Sequence, residues 1–118
     1  MNPLLVFLGG GLGALLRYAA GRATILAGYA PPFATLGVNI LGCLIMGLLA
    51  GWFTRNGGSE SAKLFLLTGI LGGFTTFSAF GLDALTLYRT SPAHAAAYVA
   101  VSVIVSLIAV AVGFALAR

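Results

Sequence analysis

Charged residues are scarce in this 118-residue chain, at 7% of the total, against about a quarter in an average soluble domain. Only two are acidic, Glu60 and Asp83, and they lie far apart in the sequence, which argues against a catalytic carboxylate pair or a carboxylate metal cluster. The single histidine, His94, has no partner at metal-ligand spacing, and a single cysteine, Cys43, cannot form an intrachain disulfide. These absences argue against an enzyme and against a soluble fold.

Apolar residues are abundant instead, at 60% of the chain, and they occur in runs long enough to cross a bilayer core. Turn residues and isolated charges separate the runs and predict four transmembrane helices at residues 4–27, 34–54, 64–88 and 95–117. We therefore expect an all-α membrane protein with one transmembrane domain over residues 1–118. The lipid bilayer is then its solvent.

Basic residues outnumber acidic ones by 6 to 2, for a net charge of +4. They are scattered near the ends of the predicted helices and form no stripe that would bind nucleic acid: Arg17, Arg22, Arg55, Lys63, Arg89 and Arg118. If the helices alternate in direction, the loop charges divide almost evenly between the two membrane faces. Such a chain could insert both ways, and we expect two opposite copies to form an antiparallel, dual-topology homodimer.

The third predicted span contains the stretch GILGGFTTFSAF at residues 69–80, which is a poor sequence for an uninterrupted helix. Adjacent glycines cost about 1 kcal/mol each relative to alanine, and threonine hydroxyls can bind freed backbone groups. We predict a broken helix between Gly72 and Ser78. Three small-xxx-small pairs, beginning at Gly9, Gly47 and Gly69, predict close helix packing, most simply within one chain.

Two polar side chains interrupt the first two spans. Arg17 follows the first uncharged run, and an arginine at membrane depth either snorkels to the headgroups or borders an aqueous vestibule whose anions it attracts. Asn39 lies in an apolar run one helical turn after Thr35. A buried amide needs partners, which could be another helix or an ion that its NH₂ group helps to dehydrate. Both alternatives remain open for each residue.

Aromatic and hydroxyl residues mark the later spans. If the helix resumes after the break, Phe77 and Phe80 share one of its faces. Aromatic pairs at this spacing are usually core residues. Beside non-helical backbone at membrane depth, however, their positively polarised ring edges could also stabilise an anion that loses its water. The fourth span has hydroxyl groups at every fourth residue, on Tyr98, Ser102 and Ser106. They could form a continuous hydrogen-bonding track, or each serine could bond to a carbonyl of its own helix. We interpret Asp83 as an interfacial residue that pairs or caps near Arg89, and Cys43 as a helix-packing residue.

Three stretches of the chain resemble the signature sequences of the Fluc (CrcB) fluoride channels. They are GGLGALLRY at residues 10–18, TLGVNILG at residues 35–42 and the glycine-rich stretch at residues 69–80. The resemblance implies a passive fluoride channel of the bacterial inner membrane, built as an antiparallel homodimer around one structural sodium ion, which reduces cytoplasmic fluoride toxicity.

The resemblance also implies roles for individual residues. Asn39, with Thr35 one turn before it, would line a pore. Phe77 and Phe80 would be the paired phenylalanines of that pore. The tyrosine and two serines of the fourth span would form its polar track. Backbone carbonyls of Gly72 and Thr75 would hold the sodium. Ala79 departs from the family pattern, which often has threonine there, and this could remove a hydroxyl from the pore.

Two other functions compete with a fluoride channel. Small multidrug exporters also have four spans and antiparallel dimers, but they resemble proton-coupled carriers with an acidic residue inside the first span, where this chain has Arg17 and no acidic residue. A non-conducting structural subunit would need the glycine pairs but not the polar track. Fluoride efflux from liposomes would separate these alternatives.

Overall fold

The computed structural model describes residues 2–118 and contains four helices long and apolar enough to cross a membrane. Their bounds are Asn2–Leu26 (α1), Pro31–Asn56 (α2), Glu60–Thr90 (the third span) and Pro92–Ala117 (α6). The four long apolar helices that the sequence predicts are therefore present. Two of the helices, α2 and the third span, also continue past both ends of their predicted apolar runs, because helical structure does not stop where the hydrocarbon does.

Local signals account for the helix ends. Gly28 has a φ of +95°, in the left-handed region that favours glycine, and makes the turn between α1 and α2. Proline then opens α2 at a position where its missing N–H has no helical partner to lose. The fourth helix begins at Pro92, and the Ser91 side chain caps it by accepting a hydrogen bond from the His94 N–H.

The third span is not one continuous α-helix. A short α-helix, Glu60–Lys63 (α3), leads into a π-helical segment, Leu64–Leu71, and then into Gly72–Phe74 (α4). Thr75 is extended, with φ −81° and ψ 157°, and a helix resumes at Ser78–Thr90 (α5). The interruption therefore begins after the glycine pair, and Gly72 itself has helical angles of φ −60° and ψ −37°.

Two glycines of the third span, Gly69 and Gly73, do not form the interruption; they provide close contacts with α1. A Cβ on Gly9 would lie 3.0 Å from the Gly69 Cα, so α1 and the third span touch backbone to backbone. A Cβ on Gly73 would lie 3.0 Å from the Gly10 Cα, so a residue with a side chain would not fit there. The structure thus places these glycine contacts inside one chain, as the simpler interpretation of the sequence expected.

A second glycine contact joins α2 to α6. A Cβ on Gly47 would lie 2.9 Å from the Phe114 N, and one on Gly113 would lie 2.8 Å from the Leu48 N. Apolar side chains cover the outside of the bundle, including Phe7 at 75% exposure. Lipid is the natural solvent for such a surface, so the fold is that of a multi-pass membrane protein.

Candidate ion pathway

The interrupted backbone of the third span is held by Asn39 of α2. The Asn39 Nδ2 donates to the Thr76 carbonyl at 2.9 Å, and the Thr76 N–H donates to the Asn39 Oδ1 at 2.8 Å. One amide side chain thereby supplies both hydrogen bonds that Thr76 would have made in a helix. The structure thus shows a helix-to-helix contact for Asn39, which also lies on the wall of a cleft.

Arg17 supports the same interruption from α1. Its Nε donates to the Gly73 carbonyl at 3.1 Å. In a continuous α-helix that carbonyl would accept from the N–H four residues later, at Phe77, but here Phe77 lies beyond the interruption, directly before α5. Arg17 also lines a cleft, and its backbone partner is a contact that neither interpretation of its sequence position included.

Threonine hydroxyls satisfy further backbone groups beside the interruption. The Thr75 Oγ1 donates to the Leu71 carbonyl at 3.0 Å, and the Ala79 N–H donates to the Thr76 Oγ1 at 3.2 Å. The second contact caps the start of α5. Within residues 2–118, no hydrogen bond reaches the carbonyl oxygens of Gly72 or Thr75, which therefore keep their full capacity to bind a ligand.

A cleft of about 310 Å³, here called the inner cleft, lies between α2, the interruption and α6. It is lined by Asn39, Cys43, Thr75, Thr76, Phe77, Phe80, Ser102, Val103, Ser106 and Leu107. The Oγ atoms of Ser102 and Ser106 are buried and have no hydrogen-bond partner in the described part of the chain. Two such hydroxyls on one wall provide donors for a ligand that the cleft would receive.

Three aromatic rings form a row at the edge of this cleft. The ring centroids of Phe77 and Phe80 are 5.6 Å apart, and those of Phe80 and Tyr98 are 5.4 Å apart. Phe80 and Tyr98 are each 9% exposed, whereas Phe77 is 82% exposed. The row therefore runs from the interior of the bundle to a fully uncovered ring.

A second cleft of about 450 Å³, here called the outer cleft, lies between α1, the start of α2 and α5. Arg17, Arg22, Thr35, Ala79 and Asp83 are among the residues that line it. Thr76 lines both clefts, so its main chain, held by the Asn39 amide, separates them.

The structure distributes the predicted pore residues between these places. The asparagine, both phenylalanines and both serines lie on the inner cleft, while Thr35 lies on the outer one. The Tyr98 hydroxyl does not continue the serine track, because it donates to the Asp83 Oδ2 at 3.3 Å. Asp83 was expected to pair or cap near Arg89, and the structure gives its carboxylate a tyrosine partner on α6.

Sequence reasoning missed the part that Cys43 and Thr76 take in these clefts. Cys43 lies one helical turn after Asn39, so the same four-residue spacing that grouped the fourth-span residues could have found it. Thr76 offered no such signal, because its role depends on main-chain groups and on a partner 37 positions away.

Known proteins share the sequence of nearly the whole chain. Residues 4–114 match the family described as CrcB-like protein, Camphor Resistance (CrcB). A protein of Methylobacterium sp. (strain 4-46) named fluoride-specific ion channel FluC is 50% identical over 120 residues, covering 100% of this chain and 97% of that protein. A protein of the same name from Paracoccus denitrificans (strain Pd 1222) is 52% identical over 120 residues, covering 98% and 93%. The chain therefore belongs to the CrcB family.

Proposed function

We propose that this chain forms a fluoride channel that lets the ion leave the cell passively. The observation that carries the proposal is the pair of buried, unpartnered hydroxyls of Ser102 and Ser106 on the inner cleft. Fluoride is small and strongly hydrated, so a path for it must supply donors that replace water. Serine hydroxyls can rotate to donate, and the names of the relatives point to the same ion.

The two clefts suggest the order in which an anion would meet the protein. Arg17 and Arg22 on the outer cleft would raise the local anion concentration there. The ion would then pass the Thr76 main chain and reach the serines beside the phenylalanine rings, whose edges are positively polarised. Every step replaces water by fixed donors or ring edges, and no covalent chemistry is required.

An antiparallel homodimer of opposite topology would complete this path. Phe77 lines the inner cleft yet is 82% exposed, and Gly72 is exposed beside it, so this side of one chain is uncovered. A second copy related by a two-fold axis in the membrane plane would cover both residues at once. The even division of loop charges permits the two orientations, and we place the dimer in the bacterial inner membrane.

A structural sodium ion fits the interruption of the third span. The Gly72 and Thr75 carbonyls accept no hydrogen bond within residues 2–118, and carbonyl oxygens are ligands that a hard cation prefers. Two copies would provide four such oxygens at the dimer axis. The ion would lock the paired interruptions together, and replacing sodium by a large organic cation should weaken the dimer without altering the fold of each chain.

Efflux from liposomes tests the function. Purified protein is reconstituted with internal potassium fluoride or potassium chloride, and ion-selective electrodes follow release after valinomycin is added. We expect rapid fluoride release and no comparable chloride release. Equal passage of both ions, or passage of neither, would overturn the proposal, and fluoride release that requires a proton gradient would favour a coupled exporter.

A further inference from the structure

The single cysteine of the chain lies on the wall of the inner cleft. Cys43 is a free, partly exposed thiol, and it lines the cleft together with Ser102 and Ser106. The sequence suggested only a helix-packing role for it. Its position in the cleft gives the thiol access to whatever enters that space.

The packing of α2 against α6 fixes which way the thiol faces. Asn39, Cys43 and Gly47 follow one another at four-residue spacing and so share one face of α2. At Gly47 this face touches α6 so closely that a Cβ would lie 3.0 Å from the Val110 carbonyl carbon. Cys43 therefore lies on the wall of the cleft between Asn39 and the contact of α2 with α6 at Gly47, one turn from each residue.

A separate observation, on the serines of the same cleft, points to a ligand there. Ser102 is only 6% exposed, and its hydroxyl has no hydrogen-bond partner within the described residues. The Ser106 hydroxyl is buried and unpartnered as well. Buried polar atoms of this kind are normally satisfied by water or an ion, so the space that the thiol borders is one that a small ion can occupy.

We infer that Cys43 is a binding site for soft, thiol-seeking metal ions and that its occupation blocks the anion path. The inference rests on the proposed function, because it takes the inner cleft to be that path. With Hg²⁺, the Sγ–H bond breaks, a sulfur–mercury bond forms and the proton passes to water, with no change of oxidation state. Thiolate sulfur is the preferred ligand of such metals, and the neighbouring hydroxyl oxygens are not.

The test measures fluoride release from liposomes before and after addition of mercuric nitrate, together with the intact mass of the protein. Wild-type release should fall by about tenfold or more when the adduct forms, because a metal ion held on the wall of the cleft takes the space that the fluoride ion needs. Dithiothreitol should restore release as it removes the mercury. The C43A variant has no thiol, so mercuric nitrate should not change its rate of fluoride release.

A displaced thiol provides the matched control. Leu116 lies on α6 outside both clefts and is 73% exposed. The double variant C43A/L116C should gain the mercury adduct and keep its own rate of release. The inference is overturned if wild type gains no adduct, if it gains one and still conducts, or if C43A is inhibited equally. Absence of fluoride release before any reagent is added would instead overturn the proposed function.

Discussion

At the scale of single residues, we expect the serine hydroxyls to lower the stability of the fold and to increase fluoride transport. Ser102 is almost fully buried with no partner, so Ser102→Ala removes an unsatisfied polar group. We expect the free energy of unfolding to rise by about 1 kcal/mol. Fluoride release should fall roughly tenfold, because the loss of one donor to the ion raises the barrier by about 1–2 kcal/mol.

Unfolding in mixed detergent micelles and liposome efflux would measure the two effects. Thr24→Ala is the matched control, since that hydroxyl already donates to the Ala20 carbonyl at 2.8 Å and lies outside both clefts. A Ser102→Ala variant that loses stability but conducts normally would show that the hydroxyl serves the fold and not the ion.

Asn39 should have the opposite effect on stability, because its Oδ1 and one N–H of its Nδ2 bind the Thr76 main chain. Asn39→Leu leaves one main-chain N–H and one carbonyl without partners, and we expect it to lower the free energy of unfolding by about 2 kcal/mol or more. Release of fluoride should fall as well, since the Thr76 main chain separates the two clefts. The same unfolding and efflux assays apply.

Thr54→Val controls for the loss of a hydrogen bond as such. The Thr54 hydroxyl donates to the Ala50 carbonyl of its own helix at an exposed position, and its removal should cost less than about 0.5 kcal/mol. Equal stability of Asn39→Leu and wild type would mean that the amide does not hold the interruption.

At the scale of helices, neighbouring glycines of α1 should respond differently to alanine. A Cβ on Gly13 would collide with the Ile70 carbonyl and lie 2.8 Å from the Phe74 N, whereas a Cβ on Gly11 meets nothing within 4 Å. We expect Gly13→Ala to lower the free energy of unfolding by about 2–3 kcal/mol, because the backbone of the third span must move.

Gly11→Ala should be neutral or stabilising by up to about 1 kcal/mol through its higher helix propensity. Thermal unfolding of both variants in the same detergent makes the comparison. Similar losses in the two would contradict the backbone contact between α1 and the third span.

The helices also show how far the sequence could be interpreted. Hydropathy located all four spans, because bilayer thickness leaves few alternatives for long apolar runs. The sequence could not show that Gly73 serves a close contact with Gly10, or that the extended backbone starts only at Thr75. A glycine is equally typical of a turn and of a close helix contact, so its presence does not distinguish the two.

The same limit applies to the candidate site. Four-residue spacing grouped Ser102 with Ser106 on the inner cleft, because one helix determines it. The Tyr98 hydroxyl has the same spacing but binds Asp83, a partner on another helix. Contacts between helices depend on how the helices pack, and this cannot be determined from composition or periodicity.

At the scale of the whole molecule, we expect copies of the chain in both orientations. A tag fused after Arg118 should be accessible on both membrane faces of intact and opened cells, because the loop charges give no strong bias. Labelling on one face alone would contradict the antiparallel dimer.

Added charge provides the control. Ser61→Lys and Ala30→Lys place a positive charge on opposite ends of the bundle, at exposed positions. Each variant should insert mainly one way and release little fluoride alone, and expression of the two together should restore release. Full activity of either variant alone would mean that opposite orientations are not required.

The lengths of the helices have a consequence for the choice of membrane. α2 and α6 have 26 residues each, so each is about 39 Å long, several ångströms more than a hydrocarbon core of about 30 Å. Because they touch backbone to backbone at Gly47 and Gly113, neither can tilt without the other. The bundle must meet a thin bilayer by leaning as a unit or by stretching the acyl chains around it. Lipid chain length should therefore affect this protein more than one whose helices adjust separately.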